Sequence, residues 1–273
     1  MPTPISSAAH PAQPAPAHPL AGRTALLTGA SSGIGQALAV ALAAAGVRVA
    51  LLARDAARLR ATADAARAAG APAVAVLPCE LTDDAAVRAL PSQLPAEFQQ
   101  LDLLLHCAGT VAHGLLAEHA IVELDRQYRL NVRAPYLLTQ VLLPHLHLAA
   151  GGTVVFVNSM AAVISKAENG QYAATKAALK AVADSLRAEL APQGGRVLSV
   201  FPGKTDTPLL RQLCAADGEA YEPARYSQPD ALAQLVLSAL SLPAPAVLQD
   251  LHVRSAPPRP TAAPLLPTAR PWS

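Results

Sequence analysis

Arg23-Thr24-Ala25-Leu26-Leu27-Thr28-Gly29-Ala30-Ser31-Ser32-Gly33-Ile34-Gly35 decides the reading of this chain. A short β-like apolar run ends at a glycine, and the segment that follows passes straight into Ala/Leu-rich sequence to about residue 46. Glycines at 29, 33 and 35 permit a tight turn and let backbone amides approach a ligand. A helix that begins there turns its positive dipole end toward a phosphate. The pattern predicts strand, glycine turn and helix, with Gly29, Ser31, Ser32, Gly33, Ile34 and Gly35 around the pyrophosphate of a dinucleotide.

Outward from this unit the same alternation continues. Apolar runs at 23–28, 48–53, 73–77, 101–107, 153–158, 196–201 and 247–253 read as strands; 33–46, 55–69, 83–93, 120–149, 171–192 and 229–242 read as helices. Strands bounded by Gly, Pro or Asn and separated by helices build βαβ units. The expected fold is therefore α/β and doubly wound, a seven-stranded parallel sheet with helices on both faces. No linker divides it and no other repeat is visible. Residues 1–20 and 256–273 hold 12 of the 25 prolines, so both read as disordered Pro-rich tails around one domain at 21–255.

Composition narrows the function classes. The chain has 273 residues, 52% of them hydrophobic but only 3% aromatic, so a large core of Leu, Val and Ala with close helix approach is expected. Net charge is +2 without a basic block, which argues against nucleic acid and an anionic membrane surface and leaves a small molecule as the expected partner. Cys79, Cys107 and Cys214 are odd in number and far apart, so neither a disulfide framework nor a zinc site is indicated. His145 and His147 stand two apart, on different sides of a helix, and no metal site is expected. With no charged start ahead of an apolar run and no stretch of about eighteen apolar residues, a soluble cytoplasmic protein is expected.

The second strand ends Leu51-Leu52-Ala53-Arg54-Asp55. An acidic side chain at such a strand end accepts hydrogen bonds from a ribose diol, whereas arginine accommodates a 2′-phosphate. Arg54 therefore points to NADP(H) in preference to NAD(H), and Asp55 reads as the cap of the next helix. Further on, Tyr172 and Lys176 stand four apart in a helical segment, with Ser159 thirteen residues upstream of the tyrosine at the end of an apolar run. The spacing puts phenol and ammonium on one helix face. A cation about 5 Å from a phenol, at an effective dielectric of about 20, favours the phenolate by about 3 kcal/mol, or roughly two pKa units. This is the arrangement of a general acid or base.

Taken together, the glycine loop 28–35, His106-Cys107-Ala108-Gly109, Asn131, Ser159, Tyr172-Ala-Ala-Thr-Lys176 and Pro202-Gly-Lys-Thr-Asp-Thr207 resemble the short-chain dehydrogenases/reductases of the single-domain branch, over about residues 21–255. The resemblance implies a Rossmann-type fold and a catalytic set of Asn131, Ser159, Tyr172 and Lys176. Tyr172 would exchange a proton with a carbonyl or alcohol oxygen, Ser159 would hydrogen-bond that oxygen, Lys176 would hold the nicotinamide ribose and depress the tyrosine pKa, and Asn131 would anchor a water linking Lys176 to solvent. It also implies cofactor contacts at Ala108, Gly109, Pro202, Gly203, Thr205 and Thr207, with Glu80 and Leu81 near the adenine. Three departures stand out. Glu80 fills the family's usual aspartate, Cys107 replaces an asparagine, and Lys204 follows Pro202-Gly203 where a smaller residue is common.

The function expected is an NADP(H)-dependent oxidoreductase acting on a carbonyl or secondary alcohol; a non-catalytic NADP(H)-binding sensor or scaffold on the same fold is the alternative. Substrate choice is expected in the loops at about 110–118, 160–170 and 205–228, the third too short for a large lid. A homodimer or homotetramer is implied by the resemblance.

Overall fold

The computed structural model describes residues 18–255. Seven strands, β1 (Thr24–Thr28), β2 (Arg48–Ala53), β3 (Val74–Pro78), β4 (Leu103–His106), β5 (Thr153–Val157), β6 (Arg196–Pro202) and β7 (Asp250–Val253), form one sheet in the order β3-β2-β1-β4-β5-β6-β7. Every pairing is parallel. The expected doubly wound, seven-stranded sheet is therefore present, and its order reverses between β1 and β4.

Alternate residues along each strand divide the core in two. Ala25, Leu27, Leu103, Leu105, Val155 and Val200 join Leu38 and Leu42 of α1 (Gly33–Ala44), Leu59 of α2 (Ala56–Ala68) and Val236 of α8 (Pro229–Leu240). On the other face Leu26, Leu52, Leu104, Val154 and Phe156 join Val87 of α3 (Asp84–Gln93), Leu138 of α5 (Ala134–Leu142) and Leu179 of α6 (Gly170–Leu190). Burial on both faces explains why β1 and β5 are apolar or threonine throughout rather than alternating with polar residues. Fully buried Ala39, Ala43, Ala63 and Ala183 set helices close to the sheet, as the aromatic-poor composition leads one to expect.

Local chemistry fixes the boundaries. Asp55 caps α2, accepting from the amides of Ala57 and Arg58, each at 3.0 Å. Asp83 does the same for α3. The stretch expected as one helix over 120–149 is instead α4 (Ile121–Tyr128), a π turn at Arg129–Arg133 and α5, followed by two 3-10 turns. Pro135 is the reason: it has no amide to give the Asn131 carbonyl four residues back, and its ring crowds that carbonyl, so the helix widens there. Residues 205–228, expected as a short loop, contain α7 (Pro208–Ala216), capped by Thr207 and opened by a proline at its first position. β7 begins at Asp250 rather than 247, after a segment whose Pro243 and Pro245 cannot donate to a ladder. Leu20, assigned by composition to a tail, is buried in the first core cluster. The tail expectation at 1–17 and 256–273 lies outside the described residues.

His106 fills the core rather than the site. It stacks on Phe156 at 4.9 Å between centroids, and its Nε2 lies 2.8 Å from Thr139 Oγ1. Burial pushes the imidazole down to about 3, so it is neutral at ordinary pH.

The tightest packing is in the glycine turn. A Cβ on Gly35 would lie 2.3 Å from the Gly29 carbonyl oxygen. Gly35→Ala is expected to lower the unfolding free energy by at least about 3 kcal/mol, since backbone has to move to admit the methyl. Urea denaturation checks this, and a loss under about 1 kcal/mol contradicts the close turn.

Candidate active site

Parallel strands bring all their carboxyl ends to one edge of the sheet, and the residues singled out in the sequence gather there. Tyr172 lies in the first turn of α6 with Lys176 one turn on, and Ser159 follows β5 as the cap of a 3-10 turn at Met160–Ala162. Lys176 is only 4% exposed; its Nζ donates to the Val157 carbonyl at 3.1 Å and stands 5.9 Å from the centroid of the Tyr172 ring. Ser159 Oγ accepts from the Ala161 amide at 3.1 Å, which leaves its own proton to be given to another oxygen.

The electrostatics correct one expectation. Burial pushes Lys176 down to about 8, because an ammonium loses its hydration there. Burial also pushes Tyr172 up, with the neighbouring Ser159 hydroxyl acting the other way, so the phenol is not drawn toward neutrality by the lysine. The i, i+4 spacing does put the two groups on one helix face, but desolvation, which raises the phenol and weakens the cation, is the largest influence on both.

Asn131 sits in the π turn, 1% exposed, behind rather than in the cleft. Its Oδ1 accepts from the Thr110 amide at 2.8 Å, and its Nδ2 donates to the Thr110 carbonyl at 2.9 Å and to Thr175 Oγ1 at 3.1 Å. It thus ties the loop after β4 to α6. A Cβ on Gly109 would lie 3.3 Å from Asn131 Oδ1, which would have to give by a few tenths of an ångström, and 3.7 Å from Lys176 Nζ, so this loop passes in contact distance of the lysine.

The turn after β1 fits a dinucleotide. Gly29 and Gly33 have φ of +62° and +54°, and a Cβ on Gly29 would lie 2.7 Å from the Ala108 amide nitrogen, so the β1 and β4 loops meet backbone to backbone. Ser32 precedes α1 without a side-chain cap, and the first turn holds no acidic residue. Its free amides and dipole are open to the pyrophosphate of a nicotinamide dinucleotide. Thr28 braces this junction: its Oγ1 accepts from the amides of Cys107 at 3.0 Å and Ala108 at 3.1 Å. That bracing needs no asparagine at position 107, where burial pushes the thiol up to about 12.

A cleft of about 870 Å³ joins Ile34, Gly109, Ser159, Tyr172, Lys176, Pro202, Gly203, Thr205 and Thr207. Arg54, Glu80 and Leu81 lie outside it, following β2 and β3. Leu81 belongs to the core, and Arg54 pairs with Glu80 at 3.6 Å. From the expected substrate loops the cleft takes Val111, Leu209, Leu210 and Leu213 but not Ala112, Leu115 or Tyr221. Lys204, whose role was open, pairs with Glu219 at 2.8 Å, and His113 Nδ1 lies 2.8 Å from Asp217, so the segment after α7 is tied to both cleft rims. Thr28 and Thr175 lie within motifs quoted from the sequence but were given no role there. Thr110 and Asn158, a buried cleft residue whose side-chain amide has no partner among the described residues, were missed; Thr110 directly follows the 106–109 motif and Asn158 closes the strand expected at 153–158.

A short chain dehydrogenase family model matches residues 23–218. The chain belongs to this family. This short-chain dehydrogenase is 36% identical over 193 residues to a short chain dehydrogenase of Pseudocercospora fijiensis, a match spanning 70% of this chain and 62% of the fungal protein. It is 28% identical over 235 residues to an uncharacterized oxidoreductase of Staphylococcus haemolyticus, covering 86% of this chain and 98% of that one. Among solved structures it is similar to an alcohol dehydrogenase of Thermococcus sibiricus complexed with 5-hydroxy-NADP (TM-score 0.77, 26% identity, 88% of this chain and 99% of that one). It is also similar to a 3-ketoacyl-(acyl-carrier-protein) reductase of Brucella melitensis complexed with NADH (TM-score 0.75, 27% identity, 86% and 98%). The protein is thus an oxidoreductase of a family that binds a nicotinamide cofactor. Among the described residues no helix is long and apolar enough to cross a membrane, and no group of three or more His, Cys, Asp or Glu could hold a metal.

Burial of Lys176 has a measurable consequence. Below pH about 8 the folded state bears the whole cost of the buried charge; between about 8 and 10.5 only the unfolded chain keeps the proton, so stability rises with pH. Lys176→Met is expected to be at least as stable as the parent at pH 7 without cofactor, and to lose that rise. Thermal unfolding of both proteins across this window checks it.

Proposed function

We propose that this protein is an NADP(H)-dependent carbonyl reductase or secondary-alcohol dehydrogenase, with Tyr172 as the general acid or base. The observation that carries the reading is the convergence of the Tyr172 phenol, the Ser159 hydroxyl and the buried Lys176 ammonium on one cleft beside the glycine turn. Gly29, Ser31, Ser32, Gly33, Ile34 and Gly35 would hold the pyrophosphate of the cofactor, with Ala108 and Gly109 beside β4 and Pro202, Gly203, Thr205 and Thr207 beside β6 as further contacts, and the bound cofactor would supply or take the hydride. The protein's own groups handle the oxygen. Ser159, its lone pair engaged by the Ala161 amide, donates to the carbonyl oxygen and stabilises the negative charge that develops on it. Tyr172, kept protonated by its raised pKa, gives that oxygen its proton in the reductive direction.

Lys176 would hold the nicotinamide ribose and, when charged, offset the phenolate left behind. Asn131 keeps the Gly109–Thr110 loop in register above it. Arg54 stands at the end of β2, where a guanidinium accommodates a 2′-phosphate, and this supports NADP(H) over NAD(H). Exposed Tyr128 and Tyr136 on and beside the π-interrupted helix support a homodimer or homotetramer built on that face.

Tyr172→Phe is expected to keep its affinity for NADPH within about twofold while its turnover falls at least a thousandfold, as loss of the proton donor requires. The readouts are NADPH and NADH binding titrations, and absorbance at the nicotinamide band with a panel of ketones, aldehydes and quinones. Alcohol oxidation, which needs the phenolate, is expected to gain with rising pH while carbonyl reduction does not. Turnover that survives Tyr172→Phe contradicts the assigned acid, and tight binding without turnover of any carbonyl moves the protein to the sensor class.

A further inference from the structure

The carboxyl ends of β2 and β3 carry a pair of opposite charges outside the catalytic cleft. Ala53 and Pro78 are partners in the sheet, and the Cys79 amide donates to the Ala53 carbonyl at 3.0 Å, so Arg54 and Glu80 leave the sheet from adjoining positions. Arg54 Nη1 lies 3.6 Å from Glu80 Oε2. Asp55, nearer in sequence, is occupied as the cap of α2 and lies 3.3 Å from Arg58. Glu80 has its own local partners as well: its Oε1 accepts from the Thr82 amide at 3.0 Å and from Thr82 Oγ1 at 2.8 Å, which orients the carboxylate on a partly exposed surface. Desolvation pushes this carboxyl up, but the two Thr82 bonds and the Arg54 charge outweigh it, so it is ionised at neutral pH.

We propose that Glu80 is a positioning residue that sets the choice between NADP(H) and NAD(H) by holding the Arg54 guanidinium and standing as a fixed negative charge beside the 2′-phosphate position. The proposal rests on the reading of Arg54 as the 2′-phosphate contact. A phosphate dianion arriving there has to compete for Arg54 with the Thr82-oriented carboxylate and then remain near that negative charge. NAD(H) carries a 2′-hydroxyl instead, meets no repulsion, and can donate to the same carboxylate. The longer reach of glutamate matters, since the charge must extend from the segment after β3 to a side chain just after β2. This chain therefore discriminates against NAD(H) less than Arg54 alone would make it.

The test measures dissociation constants of NADPH and NADH by nucleotide fluorescence for the full chain and for Glu80→Gln, Glu80→Ala, Arg54→Ala and the double variant Arg54→Ala/Glu80→Gln, with melting temperature as a check of folding. Both Glu80 variants are expected to bind NADPH about three- to fivefold more tightly, the scale of an exposed ion pair, with NADH unchanged or weaker. Arg54→Ala is expected to weaken NADPH about tenfold and leave NADH alone, and in the double variant the Glu80 gain should vanish. If Arg54→Ala lowers the NADPH to NADH affinity ratio but neither Glu80 variant raises it, or the gain persists in full without Arg54, the role of Glu80 is overturned while the reading of Arg54 stands. If Arg54→Ala leaves the ratio unchanged, that reading falls and the inference with it.

Discussion

Parallel pairing of seven strands, covered by helices on both faces, brings every strand's carboxyl end to one side of the sheet, where the ladder stops and backbone groups are left to loops, helix starts and ligands. At the carboxyl ends the sheet order reverses between β1 and β4, so the helices that follow those strands lie on opposite faces and a crevice opens between their loops. The glycine turn, the Cys107–Gly109 loop and the Pro202–Thr207 segment all lie at this edge. The rest of the molecule serves to hold them in register: Thr28 ties β1 to the β4 loop, and Asn131 ties that loop to α6.

The site works against the stability of the fold. Lys176 is buried with one hydrogen-bond acceptor among the described residues, the Val157 carbonyl, and Gly29 and Gly35 bring backbone within distances no side chain would tolerate. A buried ammonium with one hydrogen bond is costly. The surrounding sheet, with fully buried Leu27, Leu51, Leu105 and Phe156, supplies the rigid frame that keeps it there. That frame is what lets a phenol and an ammonium be placed by helix geometry alone.

The fold was legible because its signals are local. A glycine turn between a strand and a helix, and apolar runs separated by helical segments, mark a parallel sheet wherever they occur, and most strand ends fall within three residues of the expected ones. Tyr172, Lys176 and Ser159 were legible because helix spacing and order along the chain are enough to bring them together. The features that stayed hidden depend on distant contacts or on solvation. Pro135 was visible in the sequence, yet its effect on Asn131 depends on the widened turn the chain adopts. α7 was obscured because its hydrophobic residues served equally well as a loop wall. The direction of the Tyr172 shift depends on how completely water is excluded, which spacing does not report. The pairing of Arg54 with Glu80 and of Lys204 with Glu219 joins residues from different strands and loops, and no periodicity announces it.

The central claim is that a nicotinamide dinucleotide lies across the carboxyl edge of this sheet, against its three backbone loops. Amide hydrogen exchange of the full chain with and without NADPH tests it most directly. The account predicts slowed exchange at residues 29–36, 107–110 and 203–207, with the opposite edge of the sheet unchanged. Protection confined to other segments, or none at a saturating concentration, would contradict it.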